Sequence, residues 1–146
     1  QTMETWLAAP APFALLFLDL DGFKKVNDSH GHGTGDEVLR AAAERLRRAV
    51  AGTDVVGRFG GDEFVVLLAG VDDDARAFAI ANRLVAELSD PIIVDNHQHS
   101  IGVSIGIVLR RRSDASAQEL VRAADAAMYR AKETGRNRAI LARPKG

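Results

Sequence analysis

At 146 residues the chain is one domain of ordinary size, long enough to bury a core. An apolar share of 47% and a charged share of 27% are those of a soluble globular protein, with no run long enough to cross a bilayer. A net charge of -1 lacks the electrostatic footprint of a duplex-binding domain, so no nucleic-acid partner is expected, and the absence of cysteine excludes disulfide and thiolate chemistry. The arginines at 110 to 112 and from Arg130 to Arg143 read as solvated surface, and a chain that opens on Gln1 reads as a piece of something longer.

Residues 1 to 12, with Pro10 and Pro12, read as a short helix or loose lead-in; the domain proper is expected over 13–143, with 144–146 as a tail. Phe13 to Leu18 is apolar without alternation, which predicts a central strand buried on both faces and ending on Asp19-Leu20-Asp21-Gly22. A short helical segment follows with Phe23 and Val26 inward, dissolving in the glycine-rich stretch from Ser29 to Gly35. The next helix is expected from about Gly35, with Asp36 and Glu37 in its first turn, Leu39, Ala42, Leu46 and Val50 on one face, and Arg45, Arg47 and Arg48 near its end.

Asp54 to Phe59 and Glu63 to Ala69 read as strands joined through Gly60-Gly61, a tight hairpin turn because glycine reaches φ > 0 at no steric cost. Asp72 to Asp74 cap a helix whose inner face carries Ala77, Ala81, Leu84 and Leu88. Pro91 to Val94 and Ser100 to Leu109 are expected to form a second hairpin around Asp95-Asn96-His97. Ser116-x-x-Glu119 is a capping box for a helix running to Thr134, with Leu120, Ala124, Met128 and Ala131 inward and Gly135 as its stop; Arg138 to Leu141 is a last short strand. Interleaved strands, helices and hairpins predict an α+β fold, a mixed and mainly antiparallel sheet covered by helices.

The chemistry concentrates at strand ends. Asp19 closes an apolar strand, where a carboxylate is either solvated, a cap for the segment at Gly22, or neutralised by something positive. That strand end can lie beside the glycine turn, bringing Asp19, Asp62 and Glu63 together. Converging carboxylates repel unless a cation intervenes, and magnesium suits a few carboxylates plus phosphate oxygens. Asp19-x-Asp21-Gly22 fails the EF-hand pattern, since its twelfth position is His30. Gly31-x-Gly33-x-Gly35 lacks the dinucleotide fingerprint, and there is no Gly-Lys-Ser/Thr element.

Gly60-Gly61-Asp62-Glu63-Phe64 followed by Val-Val-Leu-Leu resembles the signature of the GGDEF family, the diguanylate cyclases. So do Phe23-Lys24-x-Val26-Asn27-Asp28, His30-Gly31-His32-x-x-Gly35-Asp36, Ser104-Ile105-Gly106, and the run from Ala124-Asp125 through Ala127-Met128-Tyr129 and Ala131-Lys132 to Gly135-Arg136-Asn137. The resemblance covers Phe13 to Leu141 and implies a palm-like, ferredoxin-related fold. It assigns Asp19 and Asp62 to magnesium, or manganese in its place, with the Leu20 carbonyl and Glu63 assisting. Catalysis falls to Asp62, Glu63 and Asp19. Asn27 and Asp36 are assigned to a guanine base, because a carboxylate accepts from both N1-H and the exocyclic amine, whereas adenine offers no such pair.

The backbone around Gly22 and Phe23 would hold terminal phosphates at a helix N-terminus, with Lys132 and Arg136 adding positive charge. Lys24, His32, Gly60 and Gly61 complete the substrate-binding set. The implied reaction joins two GTP into cyclic di-GMP with loss of two pyrophosphates, in a homodimer whose domains each supply half a site, driven by a sensory or regulatory domain. The catalytic domain is expected in the cytoplasm, attached to the membrane or not by other parts. The alternative is a catalytically silent GTP-binding module beside another signalling domain. Two departures stand out: the Arg-x-x-Asp product-inhibition motif has Asp54 but Ala51 in place of arginine, and the usual Asp-x-Leu-Thr-Gly-Leu-x-Asn-Arg lead-in is missing before Pro12.

Overall fold

A computed structural model describes residues 11–110 and 116–142. The expected lead-in up to Pro10, the arginines at 111, 112 and 143, and the tail fall outside those residues. In chain order the elements are β1 (Phe13–Asp21), α1 (Phe23–His30), α2 (His32–Ala49), β2 (Val55–Arg58), β3 (Glu63–Ala69), α3 (Asp74–Ser89), β4 (Ile92–Val94), β5 (His97–His99), β6 (Gly102–Arg110), α4 (Ala117–Glu133) and β7 (Arg138–Leu141). Five strands form one sheet in the order β2-β3-β1-β6-β7, antiparallel except for the parallel pair β6–β7. The expected α+β architecture is what the chain adopts.

β1 is the central strand because both of its faces are apolar, and the period of two divides its residues between two cores. Ala14, Leu16, Leu18 and Leu20 enter the larger core with Val38, Leu39, Ala42 and Leu46 of α2 and Ala77, Ala81, Leu84 and Leu88 of α3. Phe13, Leu15 and Phe17 face the other way, onto Leu120, Ala124 and Met128 of α4. Each fully buried leucine contributes about 2 kcal/mol of transfer free energy, so the helices are held mainly by these stripes. α4 begins at the expected capping box, with Ser116 and Glu119 bonded reciprocally. It lies so close to β6 that a Cβ at Gly106 would sit 1.8 Å from the Ala124 carbonyl oxygen.

Several expectations are corrected. α2 begins at His32, not near Gly35, so Gly33 and Gly35 are helical and the first turn carries no acidic residue. Only Gly31, at φ 88°, separates α1 from α2. The second hairpin pairs β4 with β5, as a separate two-stranded sheet, and not with β6. Its turn, Asp95-Asn96, has φ of 50° and 67°, the left-handed pair that lets two residues reverse a strand. Gly60 and Gly61 are not among the described residues with positive φ; at Gly60 the lack of a side chain matters for room. Arg110 is buried, its guanidinium over the Phe13 ring and donating to the Ala11 carbonyl, because the end of β6 lies beside the start of β1.

Candidate active site

The alternation that sorts the core also aims the acidic residues. Asp19 and Asp21 continue the odd face of β1, toward α4, while Leu20 continues the even face into the larger core. Glu63 is the direct cross-strand partner of Asp19 in the β1–β3 ladder. The Leu20 N–H donates to the Asp62 carbonyl oxygen at 3.1 Å, fastening the turn before β3 to the end of β1. Like charges opposite one another across a ladder are destabilising. The expected convergence of Asp19, Asp62 and Glu63 is thus built from strand register.

Lys132 of α4 answers part of this charge. Its Nζ lies 2.9 Å from Asp19 Oδ2, whereas Asp19 Oδ1 is buried and accepts no hydrogen bond. Burial, chiefly, with the Asp62 carboxylate adding to it and Lys132 opposing it, pushes the Asp19 carboxyl from 3.8 up to about 6. Glu63 is also raised, by burial first and then by Asp62 and Asp125, with Lys132 opposing. Among the described residues no three His, Cys, Asp or Glu side chains form a ready metal cage. The hard oxygens and the orphaned Asp19 Oδ1 nevertheless fit magnesium, which takes one or two carboxylates and completes its shell with water and phosphate.

Beside this cluster opens a cavity of about 340 Å³ lined by Phe23, Lys24, Asn27, His32, Asp36, Leu39, Arg58, Gly61 and Asp62. Asn27 and Asp36 reach it from α1 and α2. Gly22 is the N-cap of α1; its φ of 79° takes the chain from strand to helix, and the first N–H groups of α1 have no side-chain cap. Asn27 fits because position 35 has no side chain: a Cβ there would lie 1.8 Å from Asn27 Oδ1. Gly60 similarly leaves room for Glu63, whose Oε1 would be 2.5 Å from a Cβ at that position.

Of the predicted set, Phe23, Lys24, Asn27, His32, Asp36, Gly61 and Asp62 line the cavity. Asp19, Glu63 and Lys132 stand at the adjoining cluster. Gly22, Leu20, Gly60 and Arg136 are not in the lining. Arg136 is exposed in the turn after α4 at φ 63°, its N–H donating to the Ala131 carbonyl. Sequence reasoning gave no role to Arg58, which lines the cavity while donating from Nε to the Gly60 and Gly61 carbonyls at 3.1 Å each. Its place directly before the glycine pair is the available signal. Asp54 is committed elsewhere, accepting from the Ala51 N–H at 2.9 Å and the Ala69 N–H at 2.8 Å.

A carboxylate cluster at the end of a central antiparallel strand, beside a polar cavity formed by two helix starts, defines a nucleotide cyclase-like palm. The chain belongs to the family described as "Diguanylate cyclase, GGDEF domain", whose model matches residues 1–138. It is 47% identical over 125 residues to the bifunctional diguanylate cyclase/cyclic di-GMP phosphodiesterase MucR of Pseudomonas aeruginosa, covering 86% of this chain and 18% of that protein. It is 40% identical over 126 residues to the cyclic di-GMP phosphodiesterase NbdA of the same organism, covering 86% of this chain and 16% of that protein. The crystal structure of the GGDEF domain of YfiN (TpbB), also from Pseudomonas aeruginosa, matches with a TM-score of 0.86 and 39% identity over 92% of this chain and 84% of that one. The chain thus spans less than a fifth of the length of these two curated relatives. No helix among the described residues is long and apolar enough to cross a membrane.

Proposed function

We propose that the chain is the catalytic domain of an active diguanylate cyclase. The observation that carries this reading is the buried, hydrogen-bond-free Asp19 Oδ1 beside Asp62, next to a cavity lined by Asn27 and Asp36. Asp36 accepts from the guanine N1-H and exocyclic amine, and Asn27 supports the same base; an adenine would leave Asp36 unpaired. The N–H groups at Gly22 and Phe23, with Lys132 and Arg136, hold the terminal phosphates. Lys24, His32, Gly60 and Gly61 complete the substrate-binding set.

Asp19 and Asp62 would hold magnesium, assisted by Glu63 and the Leu20 carbonyl; the chemistry it would supply when bound is charge compensation at the α-phosphate and a lower pKa for the attacking hydroxyl. Glu63, directly across the ladder from Asp19, accepts the proton of the 3′-hydroxyl. The new bond joins that oxygen to the α-phosphorus of the second GTP, the bond from the α-phosphorus to the bridging oxygen breaks, and pyrophosphate leaves. Two such steps close cyclic di-GMP. Each domain supplies one nucleotide, so two copies must face one another.

The test is cyclic di-GMP formation from GTP and magnesium over a wide range of protein concentration, with product rising more steeply than linearly. Asp62→Asn is expected to abolish turnover with the fold intact. A second reading, a silent GTP-binding module beside a phosphodiesterase domain, is favoured by the similarity to NbdA, a protein named for phosphodiesterase activity alone. It predicts GTP binding with no product even when dimerisation is enforced.

A further inference from the structure

Asp21 has no place in the chemistry above, yet it is a buried carboxylate at the lip of the site. Both of its oxygens are engaged. Oδ1 accepts from the Ser104 hydroxyl of β6 at 2.8 Å, and Oδ2 accepts from the Asn137 N–H at 2.9 Å. Ser104 is fully buried and Asp21 is its only described side-chain partner. Asp19, two residues earlier on the same face, has a free oxygen; Asp21 has none.

Asn137 belongs to a costly piece of backbone. Arg136 and Asn137 both lie in the left-handed region, at φ 63° and 48°, and two consecutive non-glycine residues there require outside support. Asp21 supplies it from the neighbouring strand. The Arg136 N–H closes the end of α4 on the Ala131 carbonyl at 2.9 Å. Asp21 therefore pins the turn that presents Arg136, one step beyond the α4 turn from which Lys132 reaches Asp19. β1 and the exit of α4 are joined twice, at Asp19–Lys132 and at Asp21–Asn137.

We infer that Asp21 is a positioning residue, a hydrogen-bonding clamp that sets the phosphate-facing cations of the α4 exit against the end of β1. This rests on the proposed GTP site. It makes Asp21's geometry, and not its charge, the requirement. In Asp21→Asn the amide oxygen can accept from the Asn137 N–H while its NH2 donates to the Ser104 hydroxyl, which is acceptor as well as donor. In Asp21→Ala both bonds are lost.

The experiment measures dissociation constants of GTP and GMP for the wild type, Asp21→Ala, Asp21→Asn and Ser104→Ala, with melting temperatures alongside. Both nucleotides carry the base; only GTP carries the terminal phosphates. Asp21→Ala is expected to weaken GTP about tenfold, the worth of one hydrogen bond to a charged group, and GMP less than about twofold. Asp21→Asn should stay close to wild type, and Ser104→Ala should fall between, keeping the inference testable if Asp21→Ala does not fold. Equal loss for both nucleotides would make Asp21 a general structural residue and overturn the clamp. Asp21→Asn as weak as Asp21→Ala would show that the charge matters and overturn it too. A wild type that binds GTP no better than GMP would instead overturn the phosphate assignment, and one that binds neither would overturn the proposed function, with the clamp falling in both cases.

Discussion

Asp19 and Lys132 meet through a single oxygen: the ammonium contacts Oδ2 at 2.9 Å, and Oδ1 stays buried with no hydrogen bond. The ion pair is thus half a solution to the charge at the end of β1. A buried carboxylate with one oxygen unsatisfied is a cost to the free fold.

Asp19→Asn is accordingly expected to stabilise the free protein. The folded-state pKa of about 6 exceeds the ordinary 3.8, so the folded chain binds the proton more tightly than the unfolded one. Stability linked to this group is complete below 3.8 and is lost as pH rises through about 6. At pH 7 the asparagine variant should gain on the order of 1 kcal/mol, after allowance for solvent screening and the lost pair with Lys132. The gain should vanish below about pH 4. Urea titrations at both pH values measure it, and GTP with magnesium should stabilise the wild type more than the variant.

Gly35→Ala separates binding from folding. The alanine methyl would displace the Asn27 carboxamide, the far end of a flexible side chain, which can swing away. Helix propensity favours alanine by about 1 kcal/mol, so the melting temperature should hold within about 3 °C. GTP affinity should fall at least about tenfold with Asn27 out of place. Calorimetry of the folded variant reads both.

Gly106→Ala gives the opposite result. Its methyl would meet the Ala124 carbonyl at 1.8 Å and the Met128 nitrogen at 2.4 Å, and helix backbone cannot step aside alone. A loss of about 3 kcal/mol is expected, seen as a lower denaturation midpoint.

His99 predicts a pH limit of its own. It is buried with Nε2 unpartnered, and the His30 ring lies 4.7 Å away edge-to-face. Burial, then His30 and His97, hold its pKa below the ordinary 6.5. The unfolded chain therefore takes up the proton first, and stability present above 6.5 declines as pH falls through the depressed value. Melting temperatures between pH 5 and 7 should drop less steeply for His99→Leu than for the wild type.

The apolar runs made β1, β3 and the inner faces of α2, α3 and α4 legible in the sequence, because period and burial are local properties of composition. Glycine was harder to read. Gly33 and Gly35 look like breakers, yet both are helical, and position 35 lacks a side chain because Asn27 needs the space, a reason that exists only once α1 and α2 pack together. Gly60 and Gly61 look like a left-handed turn; instead Gly60 makes room for Glu63, and both offer their carbonyls to Arg58. His97–His99 hid a strand, being short and without apolar alternation. Asp21 gave no local sign of its partners. Asp21 bonds residues 83 and 116 positions away in the chain, and such a tie cannot be seen from neighbours.

The central place of β1 also orders the events of synthesis. One of its edges pairs with β3, which follows within the first half of the chain, but the other waits for β6 at Gly102–Arg110. Until that segment leaves the ribosome, a strand apolar on both faces has an open hydrogen-bonding edge, the condition under which nascent chains associate with one another. Slowing translation between β3 and β6 should thus lower the yield of native protein, and holding the nascent chain in a chaperone over that interval should restore it.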